Sequence, residues 1–283
     1  MKVLIIGMGH IGKALSARLR EAGHTVVGTT TTPAKVEGLK AYADEVAVMR
    51  GSERKKVALA SKDVDAVIVT AAPDVRKTRT REEREEHYRD VLEETCKSAA
   101  AACPRSIFLS SFSVYGDGGP GDGPITEQTP VSNQEEPSAK YYHRAEQAIL
   151  GGGAGCVLRF PDMYGAPGDL TFPQRVQMAQ THFGGKIIFS PDAPLYAIHF
   201  DDVVNAVIHV VGGNLSGIFN VCDNSKVPPT NKDVFDAICD GEGMPRLEFL
   251  SHIKAPNRKI SADKIYGSGY SVKHADNDFG IKT

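Results

Sequence analysis

The chain has 283 residues, 41% of them hydrophobic and 24% charged, with a formal net charge of −2. That is an ordinary globular composition, long enough for one large domain or two coupled ones, and it gives no electrostatic reason to expect nucleic acid or an anionic membrane surface. No apolar run approaches the roughly eighteen residues of a membrane span. The five cysteines (Cys96, Cys103, Cys156, Cys222, Cys239) form no C-x-x-C pair, so neither a metal site nor a disulfide framework is expected. A cytoplasmic, reduced protein is the simplest reading, and the early glycines argue against a signal peptide.

The first element is Val3–Ile6, a short apolar run rich in β-branched residues, as expected for a strand buried on both faces of a parallel sheet. Gly7, Gly9 and Gly12 follow in the order G-x-G-x-x-G and open an amphipathic helix carrying Ile11, Leu15 and Leu19. The first glycine permits the tight turn, the second admits a pyrophosphate against the backbone, and the third lets the helix pack closely on the strand. Free N–H groups and the positive end of the helix dipole favour a diphosphate there. The expected dinucleotide contacts are therefore Gly7, Gly9 and Gly12 with His10 and Ile11 between them. Thr25–Gly28 is the second strand. At its tip an NAD-binding chain usually carries a carboxylate for the ribose hydroxyls. Here stand Thr29, Thr30, Thr31, Thr32 and, after a turn, Lys35. Hydroxyls and an ammonium suit a 2′-phosphate, so NADP is expected through Thr29, Thr30, Thr31 and Lys35; NAD is the alternative, since the run holds no arginine.

Strand and helix then alternate. Val46–Met49 and Val64–Thr70 read as strands, and Ala71, Ala72 and Pro73 close the latter with small residues, at the sheet edge where ligands bind in open α/β folds. Residues 77–102 read as one long helix with a solvated, charge-paired face. Ser106–Ser110 is a strand leading into SSFSVYG, residues 116–137 a long Gly/Pro/acid-rich loop, Ala139–Leu150 a helix and Cys156–Phe160 a strand.

The glycine loop, DVDAVIVTAAP, LSSFSVYG, VLRFPDMYG, IHFDDVVNAV and GIFNV stand in an order and spacing that resemble extended or atypical short-chain dehydrogenase/reductases, the NAD(P)-dependent epimerase/dehydratase family. The resemblance covers nearly the whole chain. It implies a doubly wound parallel Rossmann sheet with a smaller C-terminal α/β substrate lobe. The expected nucleotide domain is residues 1–159, with 197–212 returning to it, and the lobe is 160–196 with 213–283. It also implies hydride transfer beside acid–base chemistry. A Ser or Thr after the fifth strand contacts the substrate oxygen, and a Tyr-x-x-x-Lys helix supplies a phenol with a lysine that favours phenolate and holds the nicotinamide ribose. Counting back from Tyr115 assigns the first role to Ser111.

The Tyr-x-x-x-Lys motif is missing. Aligning EPSAKYYHRAEQAIL on its proline and on Glu146-Gln147 puts Ser138 at the tyrosine position and Tyr142 at the lysine position. Ser138, Tyr141 and Tyr142 share a helical face at i, i+3 and i+4 spacing. The expected catalytic set is thus Ser111, Tyr142, Tyr141 and Ser138, with Tyr142 also beside the cofactor. A phenol without its lysine is a hydrogen-bond donor rather than a base at neutral pH. The acidic pair that sugar dehydratases need is replaced by Phe112 and Ser113. Downstream, His199 reads as a packed or capping histidine, Asp201 as the cap of the next helix, and Lys186, Arg246, Arg258 and Lys259 as surface. The function expected is an NAD(P)(H)-dependent oxidoreductase or epimerase acting on a small metabolite, as monomer or homodimer. The rival is a non-catalytic NADP-binding sensor of the same fold.

Overall fold

The computed structural model describes residues 1–74, 76, 78–132, 136–275 and 279. The chain divides into two compact units, one of Met1–Val114, Asn133–Arg159 and Val204–Phe219, the other of Tyr115–Ser132, Phe160–Val203 and Asn220–Thr283.

The first unit is organised by a seven-stranded sheet. Its strands are β1 (Lys2–Ile6), β2 (Thr25–Thr30), β3 (Glu45–Val48), β4 (Ala66–Val69), β5 (Ser106–Ser111), β6 (Cys156–Phe160) and β10 (Gly217–Asn220), in the order β10-β6-β5-β4-β1-β2-β3. The β1, β2, β3, β4 and β5 neighbours pair in parallel, with Ile5 opposite Gly28, Ile6 opposite Val69 and Val69 opposite Phe108. This register brings the carboxyl ends of β1, β2, β4 and β5 to one edge. Reversal of strand order around β1 gives the doubly wound topology, whose ligand crevice lies at that edge. The central strands are apolar because both faces are covered: Val3, Leu4, Ile5, Val67 and Ile68 are wholly buried.

Helix α1 (His10–Glu21) turns Leu15 and Leu19 onto the sheet and ends at Gly23, whose positive φ of 79° suits a glycine cap. The short helices α2 (Val36–Leu39) and α3 (Arg54–Ala60) follow. The long charged helix begins later than the sequence implies, at Arg81, because the Thr80 hydroxyl caps it by accepting the Glu83 N–H. It continues as α4 (Arg81–Tyr88), a π-helical turn (Arg89–Glu94) and α5 (Thr95–Ala102). Within the widened turn Thr95 Oγ1 donates to the Asp90 carbonyl at 3.2 Å. α6 (Pro137–Leu150) packs with this helix over β4 and β5, burying Leu92, Cys96, Phe108, Tyr141, Ala145 and Ile149 together.

The second unit has two small parallel pairs, β7 (Asp162–Tyr164) with β9 (Ala197–His199), and β8 (Lys186–Phe189) with β11 (Glu248–Ile253). Helices α7 (Phe172–His182) and α9 (Asn231–Glu242) each start with a capping box, Thr171 with Gln174 and Thr230 with Asp233. Their apolar faces meet around Val176, Val234, Phe235 and Ile238. α8 (Phe200–Gly212) and α10 (Asp263–Tyr266) complete the helices. The glycine-rich segment after Tyr115 is not a free loop over its described residues. Arg258 donates to the carbonyls of Gly118, Gly121 (2.6 Å) and Gly123 (3.0 Å), and Ile125 exchanges backbone hydrogen bonds with Lys259 and Ser261 at 2.8 Å each. Residues 133–135 of the long loop lie outside the described residues.

Candidate active site

The glycine loop leaves β1 at the carboxyl edge and is fastened from both sides. Gly7 N–H donates to Thr29 Oγ1 at 3.0 Å, Met8 N–H donates to the Thr29 carbonyl at 3.1 Å, and Thr70 Oγ1 donates to the Gly7 carbonyl at 2.5 Å. The three glycines meet different surroundings. At Gly7 (φ 111°) a Cβ would come within 2.9 Å of the Ala71 nitrogen, and at Gly12 within 2.2 Å of the Gly7 carbonyl oxygen. At Gly9 it would meet nothing within 4 Å among the described residues. Gly7 and Gly12 are thus glycines because protein crowds them, and Gly9 faces open space at the start of α1. That is the cradle a diphosphate requires: backbone that a ligand can approach, at the positive end of a helix. His10 and Ile11 occupy the first turn of α1, His10 exposed and Ile11 half-buried.

Thr29 stands differently from its neighbours. It is buried, and its hydroxyl is used as the acceptor for Gly7. The sequence reads it as a contact for the 2′-phosphate of NADP; in the fold its hydroxyl supports the glycine loop. Thr30 is half-buried with its hydroxyl accepting the Thr32 N–H at 3.1 Å, while Thr31 and Lys35 are exposed. After β4, Ala71, Ala72 and Pro73 border the same edge. The segment is held by His87 of α4, whose Nε2 accepts the Asp74 N–H at 3.0 Å. No spacing in the sequence marks His87 for this role.

At the end of β5 the two serines separate by strand alternation. Ser110 is buried and donates to Glu146 Oε1 at 2.6 Å. Ser111 is half-buried and its Oγ accepts the Ser113 N–H at 3.1 Å, which leaves its own hydrogen to donate. The hydroxyl of Ser113 is buried with no hydrogen-bond partner among the described residues. Ser138 lies in the first turn of α6, half-buried. The neighbouring phenols go to different places. Tyr142 stacks on Phe108 of β5, ring centroids 6.0 Å apart. Tyr141 is buried, flanked by Lys140 and Arg144 at 5.2 and 5.4 Å from its ring, and lines a groove with Arg81, Glu85 and Arg89 of the charged helix. Its ring packs α6 against that helix.

The most heavily built polar group here is one that the sequence does not announce. Arg159 of β6 binds Glu146 of α6 through Nε (2.9 Å) and Nη2 (2.6 Å), with the two side chains 2% and 1% exposed. His143 Nδ1 lies 3.8 Å from the same carboxylate. Burial opposes the Glu146 charge, but the His143 and Arg159 side chains and the Ser110 hydroxyl outweigh it and hold the carboxyl below its usual range. Helix α6 is therefore riveted to β5 and β6 through its buried side. Arg159, the arginine of VLRFPDMYG, thus belongs to the buried core.

Two other family-like segments prove structural. Tyr115 of SSFSVYG donates to Asn220 of GIFNV at 2.6 Å, and Asn220 Nδ2 donates to the Ser261 carbonyl at 3.0 Å. In IHFDD it is His199, rather than Asp201, that caps α8, its Nδ1 accepting the Asp201 N–H at 3.2 Å.

The sequence model of the NAD dependent epimerase/dehydratase family matches residues 3–222. The chain belongs to this family. Protein YeeZ of Escherichia coli (strain K12) is 29% identical over 286 aligned positions, covering 99% of this chain and 95% of that one. Among solved structures, a functionally unknown conserved protein from Silicibacter pomeroyi aligns with a TM-score of 0.66 at 23% identity, covering 97% of this chain and 94% of that one. A short-chain dehydrogenase/reductase superfamily protein from Agrobacterium tumefaciens with bound NAD aligns at 0.72 and 19%, covering 96% and 93%. UDP-glucuronic acid 4-epimerase from Bacillus cereus in complex with NAD aligns at 0.70 and 17%, covering 96% and 94%. Family membership supports a nicotinamide cofactor, and the Rossmann fold is common to all of these structures. Among the described residues no helix is long and apolar enough to cross a membrane.

Proposed function

We propose that this epimerase/dehydratase family member is a nicotinamide-dependent oxidoreductase or epimerase acting on a small metabolite, with NADP(H) as the preferred cofactor and an altered proton relay. The observation that carries the reading is the open face of Gly9 between two crowded glycines at the carboxyl edge. Gly7, Gly9, Gly12 and the opening residues of α1 hold the pyrophosphate, and Ala71–Pro73 border it. Thr30, Thr31 and Lys35 are left to meet the 2′-phosphate, with Thr29 supporting the loop beneath. No carboxylate stands in Thr29–Lys35 to repel that group.

A bound nicotinamide supplies the hydride chemistry. The chain's own residues handle the oxygen. Ser111 donates its remaining hydrogen to the reacting oxygen, the orphaned Ser113 hydroxyl is a second candidate donor, and Tyr142 orients from α6 beside the ribose. With tyrosine where the family pattern has lysine, no ammonium favours phenolate, so the phenol acts as a donor and the proton moves through solvent or substrate.

The test is a pair of calorimetric titrations with NADP(H) and NAD(H), repeated on Gly9→Val. NADP(H) binds at least about tenfold more tightly, and Gly9→Val abolishes binding while circular dichroism stays native, since its side chain fills the cradle. A tenfold preference for NAD overturns the cofactor assignment. Unchanged affinity in the variant reduces the loop to a turn. Tight NADP binding with no turnover on carbonyl, alcohol and sugar-nucleotide panels transfers the reading to a cofactor-binding sensor, which the loss of Tyr-x-x-x-Lys favours.

A further inference from the structure

The charged helix pairs its acids and bases along much of its length and stops doing so at its start. Glu85 of α4 meets Arg81 at 3.4 Å and Lys140 of α6 at 3.3 Å, and Glu86 meets Arg89 at 3.7 Å. Glu83 turns back onto the Arg79 backbone N–H at 2.7 Å. Arg76, just before the helix, is taken by Asp74 at 2.8 Å. Arg79 and Arg84 are left, exposed and with no ion pair among the described residues. Both line, with Arg81, a cavity of about 300 Å³ whose other walls are Thr80, Glu136 and Pro137. That is the low end of the volumes that hold small ligands. Two helices begin there: α4 at its Thr80 cap, and α6 at Pro137 with no side-chain cap on its first N–H groups. The positive ends of their dipoles add to the arginines. The two helices follow β4 and β5, whose carboxyl ends share the edge described above, and Pro137 precedes Ser138.

We infer that Arg79, Arg81 and Arg84 bind a phosphate monoester, which, resting on the function proposed above, is the anionic group of the substrate. The charge balance selects the class. Three guanidinium-bearing residues and one carboxylate, Glu136, line the cavity, while Glu85 outside it is balanced by Lys140. The excess is two positive charges. A phosphate monoester carries about −1.5 to −2 at pH 7, whereas a carboxylate carries a single charge. Arginine also has the planar fork that takes phosphate oxygens two at a time, where lysine offers only a point charge. Arg81 is the member already held in place, by Glu85, and Arg79 and Arg84 are free to close on the ligand. Thr80 Oγ1 accepts the Glu83 N–H and keeps its own hydrogen to donate. The glycine cradle uses none of these residues, so the chain carries two anion sites of different make, one of backbone and one of side chains. A phosphate anchored away from the reacting oxygen supplies binding energy that orients it, which is what a site without Tyr-x-x-x-Lys most needs.

The experiment titrates the NADP(H)-saturated full chain by calorimetry, at low ionic strength, with glycerol 3-phosphate, inorganic phosphate and acetate. One equivalent of glycerol 3-phosphate binds, no more weakly than inorganic phosphate, and acetate binds at least about tenfold more weakly. A double variant, Arg79→Gln with Arg84→Gln, changes two exposed positions, so it keeps the native circular dichroism and the NADP(H) affinity. It loses at least about tenfold in affinity for both phosphates. Added NaCl weakens phosphate binding steeply in wild type and little in the double variant. Gly9→Val, with its cradle filled, binds glycerol 3-phosphate as wild type does, which separates this site from that of the cofactor. If NADP(H) does not bind at all, the proposed function falls, and the same comparison of wild type, Gly9→Val and the double variant without cofactor decides this site. Equal phosphate affinity in wild type and the double variant, acetate as tight as phosphate, or no binding of glycerol 3-phosphate overturns it. So does phosphate binding that Gly9→Val abolishes.

Discussion

At β1, β2 and β4 the carboxyl edge of the sheet works through backbone; at β5 and α6 it works through side chains. The first region holds Gly7 between Thr29 and Thr70 and leaves Gly9 open, so its shape depends on where side chains are absent. The second depends on which side chains are present. In the proposed reading Ser111 keeps its role and Tyr142 stands where the family pattern has a lysine, while the buried side of α6 holds Glu146 against Arg159 and Ser110. A phosphate cradle made of glycines tolerates sequence drift around it. A proton relay made of side chains does not, which is why the proposed reading has one edge keep its cofactor half and alter its chemical half.

The sharpest break of that comparison is Glu146→Gln. It leaves Arg159 buried without its counter-charge, a change that costs about 3–5 kcal/mol in such pairs. Urea unfolding at neutral pH measures it. A double variant, Glu146→Leu with Arg159→Met, loses much less because no unpaired charge remains. The pH dependence has a defined sign. The folded Glu146 carboxyl lies below its unfolded value of about 4.3, so the folded state binds fewer protons. Its stabilisation is complete above that pH and fades as pH falls through the folded value. The gap between wild type and Glu146→Gln therefore narrows in acid; a constant gap refutes the ion-pair account.

Next in size, Ser111→Ala combined with Tyr142→Phe lowers turnover by at least about 10²-fold, the scale of positioned proton-transfer groups. Tyr141→Phe leaves turnover within a factor of two or so, because its ring is held between α6 and the charged helix. Turnover that follows Tyr141 instead of Tyr142 would invert the assignment of the phenols. Thr29→Val tests the backbone region: it removes the acceptor for Gly7 N–H and costs about 1–3 kcal/mol, read as a lower Tm and weaker cofactor binding together. The smallest effect is at Lys35, exposed at the tip of β2. Lys35→Ala weakens NADP(H) binding by a few-fold and leaves NAD(H) binding unchanged in calorimetry, whereas an equal loss for both cofactors removes Lys35 from the 2′-phosphate.

What the sequence discloses follows the same division. The sheet and α1 are legible because apolar β-branched runs and glycine spacing act over a few neighbouring residues. Thr29 has an identity that suits both a ligand and a loop support, and its hydrogen bond to Gly7 N–H becomes visible only in the fold. Tyr141 and Tyr142 share a helical face in sequence, yet only the packing of the charged helix shows that they part. Glu146 and Arg159 are thirteen residues apart and sit on different elements, so no local pattern pairs them. His87 likewise acts on a chain segment that only the tertiary fold brings near.

Arg258 has a consequence for how this protein should be handled. One guanidinium fastens three carbonyls of the glycine-rich segment 118–123, from a position 137 residues away from Gly121. The segment has few side chains with which to hold itself, so its resistance to proteases rests on a clasp elsewhere in the chain. Cleavage within it would report the state of residue 258, and a limited digest becomes a gauge of whether the second unit is intact.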